Sequence, residues 1–116
     1  MLIELPFPDK VLWPNGRTRN HRFKAARVKL HREWAQIATR SVAPPCFAHN
    51  GEQIPVSIKV CPQGRGQAPD ADNCIAAAKA YLDGIADALK VNDRAFAAPT
   101  VTYGPRTGKF YITLGG

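Results

Sequence analysis

The sequence predicts an α+β domain: a small mixed sheet of about four strands with two helices packed against it, in the order β-α-β-α-β-β. Three patterns point there. Ile54, Val56, Ile58 and Val60 alternate cleanly, as a half-buried strand requires. Phe23, Ala26, Leu30, Trp34, Ile37 and Ala38 recur at three- and four-residue steps, the period of an amphipathic helix. Ile75, Ala78, Leu82, Ile85 and Leu89 repeat that pattern later in the chain.

Each element can be justified in turn. Residues 2–5 make a short strand ended by Pro6 and Pro8, and residues 10–20, centred on Pro14-Asn15-Gly16, have the turn chemistry of an exposed basic loop. A long helix spans 21–42, with Lys24, Arg27, Lys29, His31, Arg32 and Gln36 opposite its apolar stripe; Pro44-Pro45 stops it. A loop around Asn50-Gly51 leads to the strand at 54–61. Gly64-Arg65-Gly66-Gln67 is a flexible connector into Asp70, lacking the Gly-Lys-Ser/Thr ending of a P-loop, and Arg65 is its one phosphate-binding candidate. The second helix runs over 73–90. Strands at 100–103 and 110–114 then close the domain as a hairpin through Gly104 to Gly108.

At 116 residues the chain is a single domain, 1–116, with a modest core that a homodimer would reinforce. Hydrophobic residues at 45% and charged residues at 22% exclude a disordered or collagen-like chain. No apolar run approaches the roughly 18 residues of a membrane span, and the Met1-Leu2-Ile3-Glu4 start lacks signal-peptide character, so a cytoplasmic protein without a membrane partner is expected. Cys46, Cys61 and Cys74 form no Cys-x-x-Cys pair, and His21, His31 and His49 have no ligand spacing; free thiols, no zinc and packing or surface histidines follow.

Charge is more informative. The formal net charge is +7, and nine of the sixteen basic residues lie between Lys10 and Arg40 against a single acid, Glu33. With a pI of about 9.7 this is the electrostatic footprint of a nucleic-acid binder. Arg17, Arg19, Arg22, Lys24, Arg27 and Lys29 are the candidate phosphate contacts, with Arg65 beyond them.

Against that background Pro69-Asp70-Ala71-Asp72-Asn73 crowds two carboxylates at the mouth of a helix. At about 100° per residue, Lys79 and Asp83 fall within about 20° of Asp72, bordering the apolar stripe. Asp93 follows the helix, and a tight return of the chain would bring it back to the first two acids. Such a group suits a hard divalent cation. Two plainer roles compete: Asp and Asn are favoured helix N-caps, and Lys79 has an i, i+4 partner in Asp83.

The centre of the chain resembles the signature of RusA-type Holliday junction resolvases, small endodeoxyribonucleases often carried by phages and prophages. The resemblance rests on Asp70-Ala71-Asp72-Asn73, Ala78-Lys79-Ala80, Leu82-Asp83-Gly84-Ile85-Ala86-Asp87 and Asn92-Asp93, with flanking elements in matching order. It implies a homodimeric α+β nuclease that cuts branched DNA at four-way junctions with Mg²⁺, or with Mn²⁺ in its place, and needs no nucleotide cofactor. Asp70 and Asp72 match the motif aspartates, Asp93 the third acid, and Lys79 the active-site lysine. Two departures stand out: Ala76 occupies the position where other members carry the lysine, and Pro69 stands where a basic residue often precedes the first aspartate.

The chemistry can be argued without the family. Hydrolysing a phosphodiester needs a nucleophilic water and neutralised charge on the phosphorus. Mg²⁺ provides both with few protein ligands. Asp70, Asp72 and Asp93 are sufficient ligands, and Lys79 would stabilise the transition-state phosphate. The alternatives are a non-catalytic DNA-binding protein of the same fold and, more distantly, a nucleotide phosphohydrolase.

Overall fold

The computed structural model describes residues 1–14, 20–43 and 51–115. Its elements are β1 (Leu2–Pro6), α1 (His21–Val42), β2 (Val56–Cys61), α2 (Ala71–Ala77), α3 (Lys79–Leu89), β3 (Thr100–Tyr103) and β4 (Lys109–Leu114), with single 3₁₀ turns at Lys10–Leu12 and Asp93–Ala95. The strands form one mixed sheet in the order β1-β4-β2-β3. β4 runs antiparallel to both β1 and β2, while β2 and β3 are parallel.

That order corrects the expected closing hairpin. A parallel pair needs a long crossover, and the α2–α3 segment supplies it. From β3 the chain steps across the end of β2, held by Gly104 N–H to the Val60 carbonyl (2.9 Å) and Gly108 N–H to the Pro62 carbonyl (3.3 Å). β4 takes the inner place because Phe110, Ile112 and Leu114 are all buried, whereas the threonines of β3 suit an edge. Ile54 lies outside β2 and makes only an isolated bridge to Phe96.

One sheet face carries Ile3, Leu5, Val56, Ile58, Val60, Phe110 and Ile112 into the core, each at about 1.5–3 kcal/mol for a fully buried side chain. The helices cover it. Tyr81 sits at the centre, its hydroxyl donating to the Pro6 carbonyl at 2.7 Å, and burial pushes that hydroxyl's pKa well up.

The single second helix is in fact two. Ala78, at φ −82° and ψ −5°, separates α2 from α3 with its N–H shared between the Cys74 and Ile75 carbonyls (3.0 and 3.2 Å). The face of α1 also differs from expectation. Its buried residues are His31, Ala35 and Thr39, while Phe23 and Ile37 remain 50% and 64% exposed. Small residues decide this. A Cβ on Gly84 would lie 2.1 Å from the Arg32 carbonyl oxygen and 3.0 Å from the Ala35 Cβ, so α1 and α3 meet along their least bulky lines. His31 is buried because its polar atoms are satisfied: Nδ1–H donates to the Arg27 carbonyl (2.8 Å) and Nε2 accepts the Asp9 N–H (3.3 Å).

The expected exposed loop after β1 hides an anchor. Trp13 is buried, stacked on Phe7 and edge-on to Phe110, with its indole N–H donating to the Pro8 carbonyl at 3.1 Å. Arg17, Arg19, Cys46 and His49 lie outside the described residues, whereas Cys61 and Cys74 are free, buried thiols. No helix among the described residues is long and apolar enough to cross a membrane.

Candidate functional site

Asp70 occupies the N-cap of α2 in extended conformation, and its carbonyl accepts the Cys74 N–H at 2.9 Å, which starts the helix. Its carboxylate makes no capping bond. Asn20 and Asn92, by contrast, do cap, accepting the Phe23 and Arg94 N–H groups at 3.0 Å each. Asp70 and Asp72 are both exposed, and among the described residues neither carboxylate accepts a hydrogen bond or pairs with a cation. Both sit where the helix dipole is positive, which favours negative charge.

Lys79 Nζ stands 3.6 Å from Asp83 Oδ1, and the two share with Asp93 a hollow of about 320 Å³ walled by Ile75, Leu82 and Phe96. The turn after α3 returns Asp93 to a hollow that it shares with Ile75 and Ala76 of α2 as well as Lys79 of α3. Asp72 is seven residues before Lys79, about 10 Å of helical rise away, and the break at Ala78 disturbs the angular count that would align them. Among the described residues no three His, Cys, Asp or Glu side chains gather closely enough to hold a metal ion. The expected three-acid group is therefore not assembled: Asp93 lies with Asp83 and Lys79, while Asp70 and Asp72 stand at the start of α2.

Asp70 and Asp72 supply the donor chemistry that a magnesium-like cation takes, two exposed carboxylates two residues apart in the chain. Asp70 and Asp72 are adjacent to solvent and unbonded, and Mg²⁺ is commonly held by one or two carboxylates plus waters and phosphate oxygens. Among the described residues Asp93 does not join them in a three-carboxylate group.

The basic face of α1 adjoins the Lys79 side of the molecule. His21, Lys24, Val28, Lys29 and Arg32 line a hollow of about 440 Å³, and Lys24 and Val28 also line the next one, shared with Lys79 and Asp83. Arg22, Lys24, Lys29 and Arg65 are exposed. Arg27 is not available in the same way: its guanidinium is paired with Asp9 and lies 6.0 Å from the Trp34 ring centre. Arg32 is bonded bidentately to Asp87 across the helix pair (2.5 and 2.8 Å), which holds that carboxyl below its ordinary pKa and raises the guanidinium's.

Sequence reasoning missed Tyr103 and Arg106. The Tyr103 hydroxyl donates to the Pro69 carbonyl at 2.6 Å, and the Cys74 thiol approaches the same oxygen at 3.7 Å. Arg106 donates to the carbonyls of Gly64 (2.9 Å) and Gly66. Burial raises the Cys74 and Tyr103 pKa values, and the Asp70 charge pushes both in the same direction. Neither residue carries a local signal, because the partners lie 34 to 42 positions away and are backbone carbonyls.

No family model matches the chain. A protein of Xylella fastidiosa (strain Temecula1), described as uncharacterized, is 36% identical over 122 residues, spanning 98% of this chain and 75% of its own length.

Proposed function

We propose that this chain, which belongs to the same family as that Xylella fastidiosa protein, is a Mg²⁺-dependent endodeoxyribonuclease that resolves four-way DNA junctions of the RusA type. The observation carrying the proposal is the Asp70–Asp72 pair: two exposed, unbonded carboxylates at a helix mouth, in a protein of net charge +7. Carboxylates placed there without a capping role lower the protein's affinity for DNA, so a cation between them and phosphate gives them a purpose.

Asp70 and Asp72 would hold the Mg²⁺, and when bound the ion would supply Lewis-acid stabilisation of the charge developing on the phosphate. Lys79, exposed and tied among the described residues only to Asp83, serves as a mobile cation for a phosphate oxygen. Arg22, Lys24 and Lys29 bind phosphates of a duplex arm, which reads backbone shape more than base sequence. Acting as a cytoplasmic homodimer, two copies would nick symmetry-related strands. The lack of a three-ligand group among the described residues favours a second reading, a DNA-binding protein of the same fold without cleavage.

Labelled four-way junction, linear duplex and free nucleotide, each with and without Mg²⁺ or Mn²⁺, separate these readings. Paired nicks confined to the junction and dependent on the cation are expected. Binding with no cleavage at any metal concentration would leave the second reading.

A further inference from the structure

The loop that delivers Asp70 is gripped along its length by one other segment. Five carbonyls of residues 60–69 are bonded by residues 103–108: Val60 by Gly104 N–H, Pro62 by Gly108 N–H, Gly64 and Gly66 by the Arg106 guanidinium, and Pro69 by the Tyr103 hydroxyl. The two glycines adopt φ of +73° and +104°, backbone that L side chains rarely take. A connector so rich in glycine would otherwise be free to wander, and with it the first aspartate of the motif. The crossing of β3 to β4 over β2 is what brings the clamp to the loop; a plain hairpin would have left it unattached.

We infer that Tyr103 and Arg106 are positioning residues that hold the Gly64–Pro69 loop and so fix where Asp70, the first carboxylate of the proposed cation site, enters α2. Tyr103 acts on the residue immediately before Asp70, and Arg106 acts one turn of loop earlier. Arg106 is well matched to its task, because a planar guanidinium offers two parallel donors to two carbonyls where a lysine offers one point of attachment. The inference rests on the nuclease reading for its catalytic consequence, but the clamp itself can be measured apart from activity.

Tyr103→Phe and Arg106→Gln, made in the full chain, are compared with the parent by amide exchange, Mn²⁺ titration and melting. Losing one net hydrogen bond of this kind speeds local opening by about two- to tenfold. Exchange over residues 63–73 should accelerate by about that factor and Mn²⁺ affinity should fall by a similar factor, with protection of β2 and β4 unchanged. Arg106→Lys should fall between the parent and Arg106→Gln. If the parent cuts junctions, kcat should drop with KM nearly constant. A parent that cuts nothing overturns the nuclease reading, while exchange and Mn²⁺ affinity still judge the clamp. Unchanged exchange, unchanged Mn²⁺ affinity, or loss of protection spread evenly over the sheet would each overturn the inference.

Discussion

Gly84→Ala tests whether the α1–α3 contact is as close as the structure has it. The added Cβ would sit 2.1 Å from the Arg32 carbonyl oxygen, more than 1 Å inside ordinary contact, and 3.0 Å from the Ala35 Cβ. Neither obstacle is the end of a flexible side chain. The helices must part, which stretches the Arg32–Asp87 pair and the His31 ring's approach to Tyr81 at 5.4 Å between centres. Overpacking of this kind costs about 3 kcal/mol at the upper end of its usual range. Alanine returns about 1 kcal/mol of helix propensity. The steric term wins by about 2 kcal/mol. At an unfolding entropy of about 2.1 cal/mol/K per residue, a domain of this size loses roughly 8 °C in Tm. Thermal unfolding followed by circular dichroism reads the shift directly. A Tm equal to the parent's, or higher, would refute the close packing and with it the reason α1 buries His31, Ala35 and Thr39.

Two further outcomes follow from the same contacts. His31 is buried neutral and burial holds its pKa below the ordinary value, so the unfolded chain takes up the proton first; stability is full above about pH 6.5 and is lost as pH falls below it, which Tm measured across pH 7.5 to 5 should show and His31→Gln should flatten. Replacing Arg22, Lys24 and Lys29 together with Ala should lower the slope of log affinity for DNA against log salt by about 2 to 3 units without changing Tm, whereas Arg27→Ala should lower Tm and leave the slope largely intact, since Arg27 is committed to Asp9.

Local periodicity made most of the architecture legible. The α1 boundaries, the alternation of β2 and β4 and the α+β class follow from spacing alone, because side-chain direction is fixed by the backbone period. What could not be read was set by long-range fit. β3 and β4 look like hairpin partners until the apolar demand of Phe110, Ile112 and Leu114 places β4 between β1 and β2. The apolar stripe of α1 was outcompeted by a glycine fifty residues away, and His31, polar in any pattern, became core through two backbone partners. At the site, Asp70, Asp72, Lys79 and Asp93 were visible as residue types, but whether they assemble depends on the break at Ala78 and on how far the turn at Asp93–Ala95 returns. The clamp from Tyr103 and Arg106 left no trace in the sequence, since its acceptors are main-chain oxygens.

The central claim is that Asp70 and Asp72 serve a cation and not the helix, and the most direct measurement is junction cleavage by Asp70→Asn and Asp72→Asn with Mg²⁺, alongside junction binding and melting. Asparagine serves an N-cap about as well as aspartate, and Asp70 makes no capping bond to lose, so metal-free Tm should stay level or rise slightly. Each variant should bind the junction at least as tightly as the parent, while cleavage falls by about a hundredfold or more, as expected when the cation that stabilises developing charge loses a ligand. Near-parental cleavage by both variants would contradict the account and return the pair to a role in the fold.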